Sequence, residues 1–297
     1  MFLKLLNHTA VQITLLIVTL VMTYIGIEEL TENGVRSLII LFFVGIFNVL
    51  TIIAIHSKKL KTLVPVNKKI QLINFILTGL GLTLVIISYE YIAAATVAIF
   101  KRLDIAILTI ISITAGSLSK KIIPLAIVFF TVSILMLDNK IIDEDITGYI
   151  LVISGVVVLS ISNHLKKKIS GSEPIKSVLF IISLSTMSWA ILIIYVMDID
   201  VYTIEADLIL LILGLSFLNM ISLYIIFGLY KTYSVQFARY PLLLAAFLTM
   251  FAEMIVEQKW FDVEMIVGNS VIFLGLSWLV IISQKEEKQK KSLPPLN

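Results

Sequence analysis

The chain has 297 residues, of which 59% are hydrophobic and 14% charged, with a net charge of +3 and no cysteine. Soluble domains carry roughly 25% charged residues, and a mean hydropathy of +1.04 leaves no room for a sizeable soluble domain. The lack of cysteine excludes disulfides, thiolate metal sites and thiol catalysis.

Apolar runs close to the ~20 residues needed to cross a bilayer recur along the whole chain, at about 9–27, 35–55, 71–88, 91–115, 122–137, 146–163, 177–197, 208–228, 233–256 and 265–283. The first has no small-residue cleavage site after it and leads into further spans, so it is expected to be a retained helix. Only Tyr89 and Glu90 separate the third and fourth runs, which predicts a tight hairpin. The fifth and sixth are short for full spans. None shows the polar alternation of an outer-membrane barrel. The expectation is an all-α integral membrane protein with ten transmembrane helices.

The loops between these runs alternate in charge. One set holds Lys4, then Lys58, Lys59, Lys61, Lys68 and Lys69, then Lys120 and Lys121, then Lys166, Lys167, Lys168 and Lys176, then Lys231, and finally Lys285, Lys288, Lys290 and Lys291. The other set holds Arg36, Lys140 and Lys259 among acidic residues such as Glu28, Glu29, Asp143, Glu144, Asp200, Glu205 and Asp262. Lys and Arg collect in cytoplasmic loops, so both termini are expected in the cytoplasm, with the chain in the cell (inner) membrane. The three remaining cations, Lys101, Arg102 and Arg239, lie inside spans.

A guanidinium in a bilayer costs several kcal/mol unless it faces a bundle interior or a wet cavity. Arg102 and Arg239 are 137 residues apart, and that offset also superposes their surroundings, Phe100-Lys101-Arg102-Leu103-Asp104 on Phe237-Ala238-Arg239-Tyr240-Pro241. The chain thus reads as two five-span halves, 1–137 and 138–283, followed by a tail, 284–297. With an odd number of spans per half, the second enters the membrane from the opposite side, as in the inverted repeats of secondary transporters. A second correspondence is the seven-residue spacing of Ala126 and Ser133 in the fifth span and of Gly268 and Gly275 in the tenth. Small residues so spaced let membrane helices approach closely.

With Tyr233-Ser234-Val235-Gln236-Phe237-Ala238-Arg239-Tyr240-Pro241, then Glu257, then Gly268 and Gly275 in the second half, and Ala93-Ala94-Ala95-Thr96 followed by Lys101-Arg102 in the first, the chain resembles the drug/metabolite transporter superfamily, in particular ten-span EamA-type proteins. The resemblance covers essentially the whole chain. It departs at Asp104, where the family often has proline, and in lacking an acidic residue near Gly116. Lys101-Arg102 inside a span is also similar to the basic pair of sugar-phosphate and nucleotide-sugar carriers. The resemblance implies a central cavity lined by the third, fourth, eighth and ninth spans.

Lys101 and Arg102 stand about ten residues into the fourth span, hence ~15 Å deep. Asp104, three residues beyond Lys101, can reach it on the same helical face, either as an internal ion pair or as a coupling carboxylate. Arg102 has no carboxylate three or four residues away in either direction, and Arg239 has none within a helical turn. Two guanidiniums from opposite repeats would form a fork suited to carboxylate or phosphate; Arg239 could instead serve carbonyls freed by Pro241. Lys101, Arg102, Arg239 and Tyr240 are the candidate substrate-binding residues. Glu90, at a span end, and Glu253, about a turn from one, join Asp104 as candidate coupling carboxylates. Gly79, Gly81 and Asn74 would let the third span approach a neighbour, and Ser216 and Asn219 occupy its counterpart. Trp189, Trp260 and Trp278 read as packing or interface anchors.

No phosphate loop, nucleophile elbow or zinc-binding H-E-x-x-H motif is present, and His8, His56 and His164 are dispersed. The expectation is therefore no enzyme, no cofactor and no metal. The lysine clusters fit topology and anionic lipid, not nucleic acid. The expected activity is alternating-access transport of a small anionic or zwitterionic metabolite. Its alternatives are a lipid-linked sugar or phospholipid translocator, or a non-transporting membrane component.

Overall fold

The computed structural model describes residues 9–92, 97, 100–116, 118, 122–124, 127, 146–199, 206–256 and 263–292. Among these residues every regular element is helical: α1 (Thr9–Glu32), α2 (Ser37–Ile55), α3 (Lys68–Ser88), α4 (Asp104–Thr114), α5 (Ile146–Ile169), α6 (Ile175–Val196), α7 (Ala206–Thr232), α8 (Val235–Val256) and α9 (Val263–Ser292). Two 3-10 segments, Ser57–Leu63 and Lys101–Leu103, precede α3 and α4. Six segments are long and apolar enough to cross a membrane: those of α1, α2, α3, α5, α6 and α7; the apolar part of α8, Val235–Thr249, is shorter. The chain is thus a multi-pass, membrane-type helical protein. Most of the predicted fifth span, with Ala126 and Ser133, lies outside the described residues, as do the boundary between the halves, residues 93–96 and Glu257.

Chain direction alternates, as the loop charges require. At one end, Glu173 ahead of α6 accepts hydrogen bonds from the Val66 and Asn67 amides (3.1 and 2.5 Å), at the start of α3. There too Lys167 donates to the carbonyls of Tyr230 and Tyr233 (both 2.5 Å), closing the C-terminus of α7, where carbonyls lack helical partners and favour a cation. Ser234 caps α8 by accepting from the Phe237 amide (3.1 Å) and donates to Gln284 of α9 (2.8 Å). Lysine-bearing segments thus converge on one face. At the other end, the 89–92 turn after α3 meets the start of α5, where Tyr91 and Ile92 press on Gly148.

The helices pair in a pattern that carries over from one half to the other. α3 packs on α5 and α7 on α1; α6 packs on α3 and α2 on α7; α4 packs on α5 and α8 on α1; α2 and α6 cross each other. Numbered by predicted span, each of these pairs maps onto its companion when five is added to or subtracted from both members, and the α2–α6 crossing maps onto itself. Side chains follow suit. Thr78 and Ser162 share a hydrogen bond (2.8 Å) between α3 and α5, and Ser222 and Thr19 share one (2.7 Å) between α7 and α1.

Glycine sets the closest approaches. A Cβ on Gly81 would lie 3.1 Å from the Gly155 carbonyl oxygen, and one on Gly155 2.9 Å from that of Gly81. A Cβ on Gly45 would stand 2.7 Å from the Met187 amide nitrogen where α2 crosses α6. Backbones this near gain dispersion contacts that a larger residue would block. Trp189 lies across Gly79, in the packing role expected of it, whereas Trp278 is largely exposed.

Candidate functional site

Interior polar residues gather in a column of successive contacts around Lys101, Arg102 and Asp104. It begins at the hairpin after α3, where Tyr89 lies near Lys101. The Lys101 ammonium sits 5.2 Å from the centroid of the Tyr24 ring, and the Arg102 guanidinium carbon 5.5 Å from the same centroid, within reach of cation–π attraction. Arg102 also donates through Nη2 to the Tyr24 hydroxyl. Two residues on, Asp104 accepts from both Nε (2.7 Å) and Nη2 of Arg239 on α8. Arg239 in turn lies beside the Tyr230 hydroxyl and within the field of Lys166. Tyr24 lies within the field of Lys101, Arg102 and Arg239.

Local sequence explains the placement. The helix turns from α to 3-10 over Lys101–Leu103 and back to α from Asp104. Phe100 and Leu103 pack beside Tyr149, Val152 and Val156 of α5, while Ile105 and Ala106 pack against Leu243, Ile272 and Leu276. With apolar neighbours on both flanks, Arg102 and Asp104 are held inside, each 2% exposed.

Among the described residues, four cations (Lys101, Arg102, Lys166 and Arg239) meet one carboxylate, Asp104. Satisfaction is uneven. Nε and Nη1 of Arg102 are buried with no hydrogen-bond partner, as are the Tyr230 hydroxyl and both amide atoms of Gln71. Lys166, 5% exposed, forms no hydrogen bond or ion pair among the described residues. A buried charge left unpaired costs several kcal/mol.

The sequence-derived candidates divide accordingly. Lys101, Arg102, Asp104 and Arg239 come together. Asp104, however, does not pair with Lys101; its partner is Arg239, 135 residues away. The reason is geometric, since Lys101 is drawn to the Tyr24 and Tyr89 rings and leaves the carboxylate to α8. Arg239 thus gives two of its donors to this carboxylate. Tyr240, next in sequence, turns to the Phe273 ring (centroids 6.4 Å apart) and joins the α4–α9 apolar cluster. Glu90 is exposed in the turn after α3. The side chain of Glu253 lies outside the described residues.

Four participants escaped sequence reasoning: Tyr24, Tyr89, Tyr230 and Lys166. Lys166 was hidden inside a run of three lysines that topology alone explains. The available signal was a polar stripe, Ser162, Asn163 and Lys166, at helical spacing on α5 and buried throughout.

No family model matches the chain, and no curated protein matches it. The fold itself recurs. A solved structure described only as "Crystal structure of protein" superposes with a TM-score of 0.69 at 12% identity, over 92% of this chain and 98% of that one. At that identity the likeness is one of architecture alone.

Proposed function

We propose that the chain is a secondary transporter that carries a small anionic or zwitterionic metabolite through the polar column by alternating access. The observation that carries this reading is the buried Arg102, which shares the Tyr24 ring with Lys101 and keeps two guanidinium nitrogens unpartnered. Arginine presents a planar fork that fits carboxylate and phosphate. A ligand anion there would complete hydrogen bonds the protein leaves unmade, and Tyr24 holds the fork in place.

The packing pairs that exchange between halves, and the matched Thr78–Ser162 and Thr19–Ser222 bonds, support a ten-span arrangement of two inverted five-span repeats. In such an arrangement the Asp104–Arg239 pair ties one repeat to the other across α4 and α8. An anion that reaches Arg239 competes with Asp104 for the same donors, and exchange of partners would loosen the tie as substrate passes. The ammonium of a zwitterion would in turn find the released carboxylate. Driving energy would come from gradients of substrate or ions.

Purified protein reconstituted in liposomes and screened for uptake of phosphorylated sugars, nucleotides, amino acids and organic acids tests the proposal. Uptake of at least one anion, lost in Arg102→Gln, is expected; binding of hydrophobic cations alone would oppose it. The orientation is tested separately on this cysteine-free chain. Ser172→Cys, exposed at the lysine-rich end, should label only in opened cells, and Asn33→Cys, exposed at the other, in intact ones.

A further inference from the structure

Away from the polar column, a crevice of about 580 Å³ opens at the lysine-rich end between α1, α2, α6 and α7. Its walls are aliphatic, with Leu15, Ile52, Leu179 and Ile221 facing the space, and its rim carries His56, Lys176 and Lys231. All four helices contribute residues from the ends nearest the lysine-rich face. The deepest on α7, Met220, is twelve residues from Thr232, or ~18 Å along the helix axis. One leaflet of a bilayer has ~15 Å of hydrocarbon. The crevice therefore runs from headgroup level to about the middle of the membrane.

We infer that this crevice is a binding site for an anionic phospholipid, with one acyl chain along the aliphatic walls and the phosphate between Lys176, Lys231 and His56. Three features of the site select that ligand. A soluble anion would pair with the rim and leave the walls without apolar contact. A neutral lipid would fill the walls and leave two lysines at the rim uncompensated. His56 turns Nδ1 toward the Ile52 carbonyl (3.2 Å), so that as an imidazolium, with both ring nitrogens protonated, it would donate from Nε2 to a phosphate oxygen. Basic pockets between membrane helices at the lysine-rich side are suited to acidic headgroups. The inference rests on the membrane reading of the fold and is independent of what the polar column carries.

The test is native mass spectrometry of the full chain, delipidated in detergent and titrated with phosphatidylglycerol or phosphatidylcholine of identical acyl chains. One phosphatidylglycerol should be retained, with a preference of about tenfold over phosphatidylcholine from the two lysines. Lys176→Gln combined with Lys231→Gln should bring the two lipids level, whereas Lys176→Arg with Lys231→Arg should keep the preference. Ile221→Trp, which fills the crevice, should lower retention of both lipids at least threefold; Leu179→Trp repeats the test from the facing helix should the first fail to fold. Equal retention of the two lipids by the native chain would overturn the proposal. So would unchanged phosphatidylglycerol retention in the lysine-to-glutamine protein or in the folded tryptophan variants.

Discussion

Arg102 and Arg239 occupy matching places in the two halves of the sequence, yet the fold treats them differently. Arg239 gives two donors to Asp104 and lies beside Tyr230. Arg102 gives one donor to a tyrosine and keeps two nitrogens buried and unpaired. The asymmetry traces to one residue. Asp104 follows Arg102 on its own helix, pointing away toward α8, while the corresponding place after Arg239 is Pro241, which offers no side-chain acceptor. Matching places in a sequence can thus meet different partners in the fold, one guanidinium tied to a carboxylate and the other left with donors unmet.

Removing one member of the pair should break this contrast most forcefully. Arg239→Ala leaves the Asp104 carboxylate alone in the core and should destabilise the protein by about 3–5 kcal/mol, read as a fall in melting temperature. Replacing both, as Arg239→Met with Asp104→Leu, should recover most of that loss, because no charge is then stranded. A double variant as unstable as the single one would show that the pair is not the source of the effect. Arg102 should behave in the opposite sense. Arg102→Gln removes an under-satisfied cation, so stability should hold or rise, while anion affinity falls by on the order of 2–5 kcal/mol. Arg102→Lys keeps the charge but loses the fork, and its loss of affinity should be smaller.

Two further changes sharpen the comparison by acting on the scaffold alone. Gly155→Ala pushes a methyl toward Gly81 and Val85 and should cost about 1–3 kcal/mol of stability, with anion affinity per folded molecule unchanged. Lys167→Met removes the ammonium from the Tyr230 and Tyr233 carbonyls and should cost about 1 kcal/mol, the smallest effect of the set. A large loss of anion affinity in either would place the binding group somewhere other than the column.

Much of this was legible in the sequence, and for physical reasons. A bilayer demands apolar runs of fixed length, so the six segments long and apolar enough to cross one, from Thr9–Thr31 to Leu208–Thr232, fall where the runs do, whereas the fourth run, 91–115, carries the shorter helix Asp104–Thr114 after a 3-10 turn. Intramembrane charges are expensive, which is why Lys101, Arg102 and Arg239 stood out. The choice of partner was not legible, because Asp104 meets Arg239 only through the packing of α4 on α8, and a helical-turn search sees only neighbours in sequence. Lys166 failed for another reason: a lysine at a span end serves topology by default, and only its burial beside Arg239 gives it a second meaning. Tyr240 turns to the Phe273 ring, a contact that adjacency to Arg239 does not reveal because neighbouring helical residues diverge by about 100°.

The central claim is that the interior cations hold an anion through Arg102. The most direct measurement is the ligand-induced rise in melting temperature of the native chain and of Arg102→Gln, across a panel of organic phosphates and carboxylates. Binding to the folded state stabilises it in proportion to the logarithm of ligand excess over the dissociation constant. The account predicts that at least one anion raises the melting temperature of the native chain and leaves that of Arg102→Gln, folded to the same stability, unchanged. An equal rise in both proteins would contradict it.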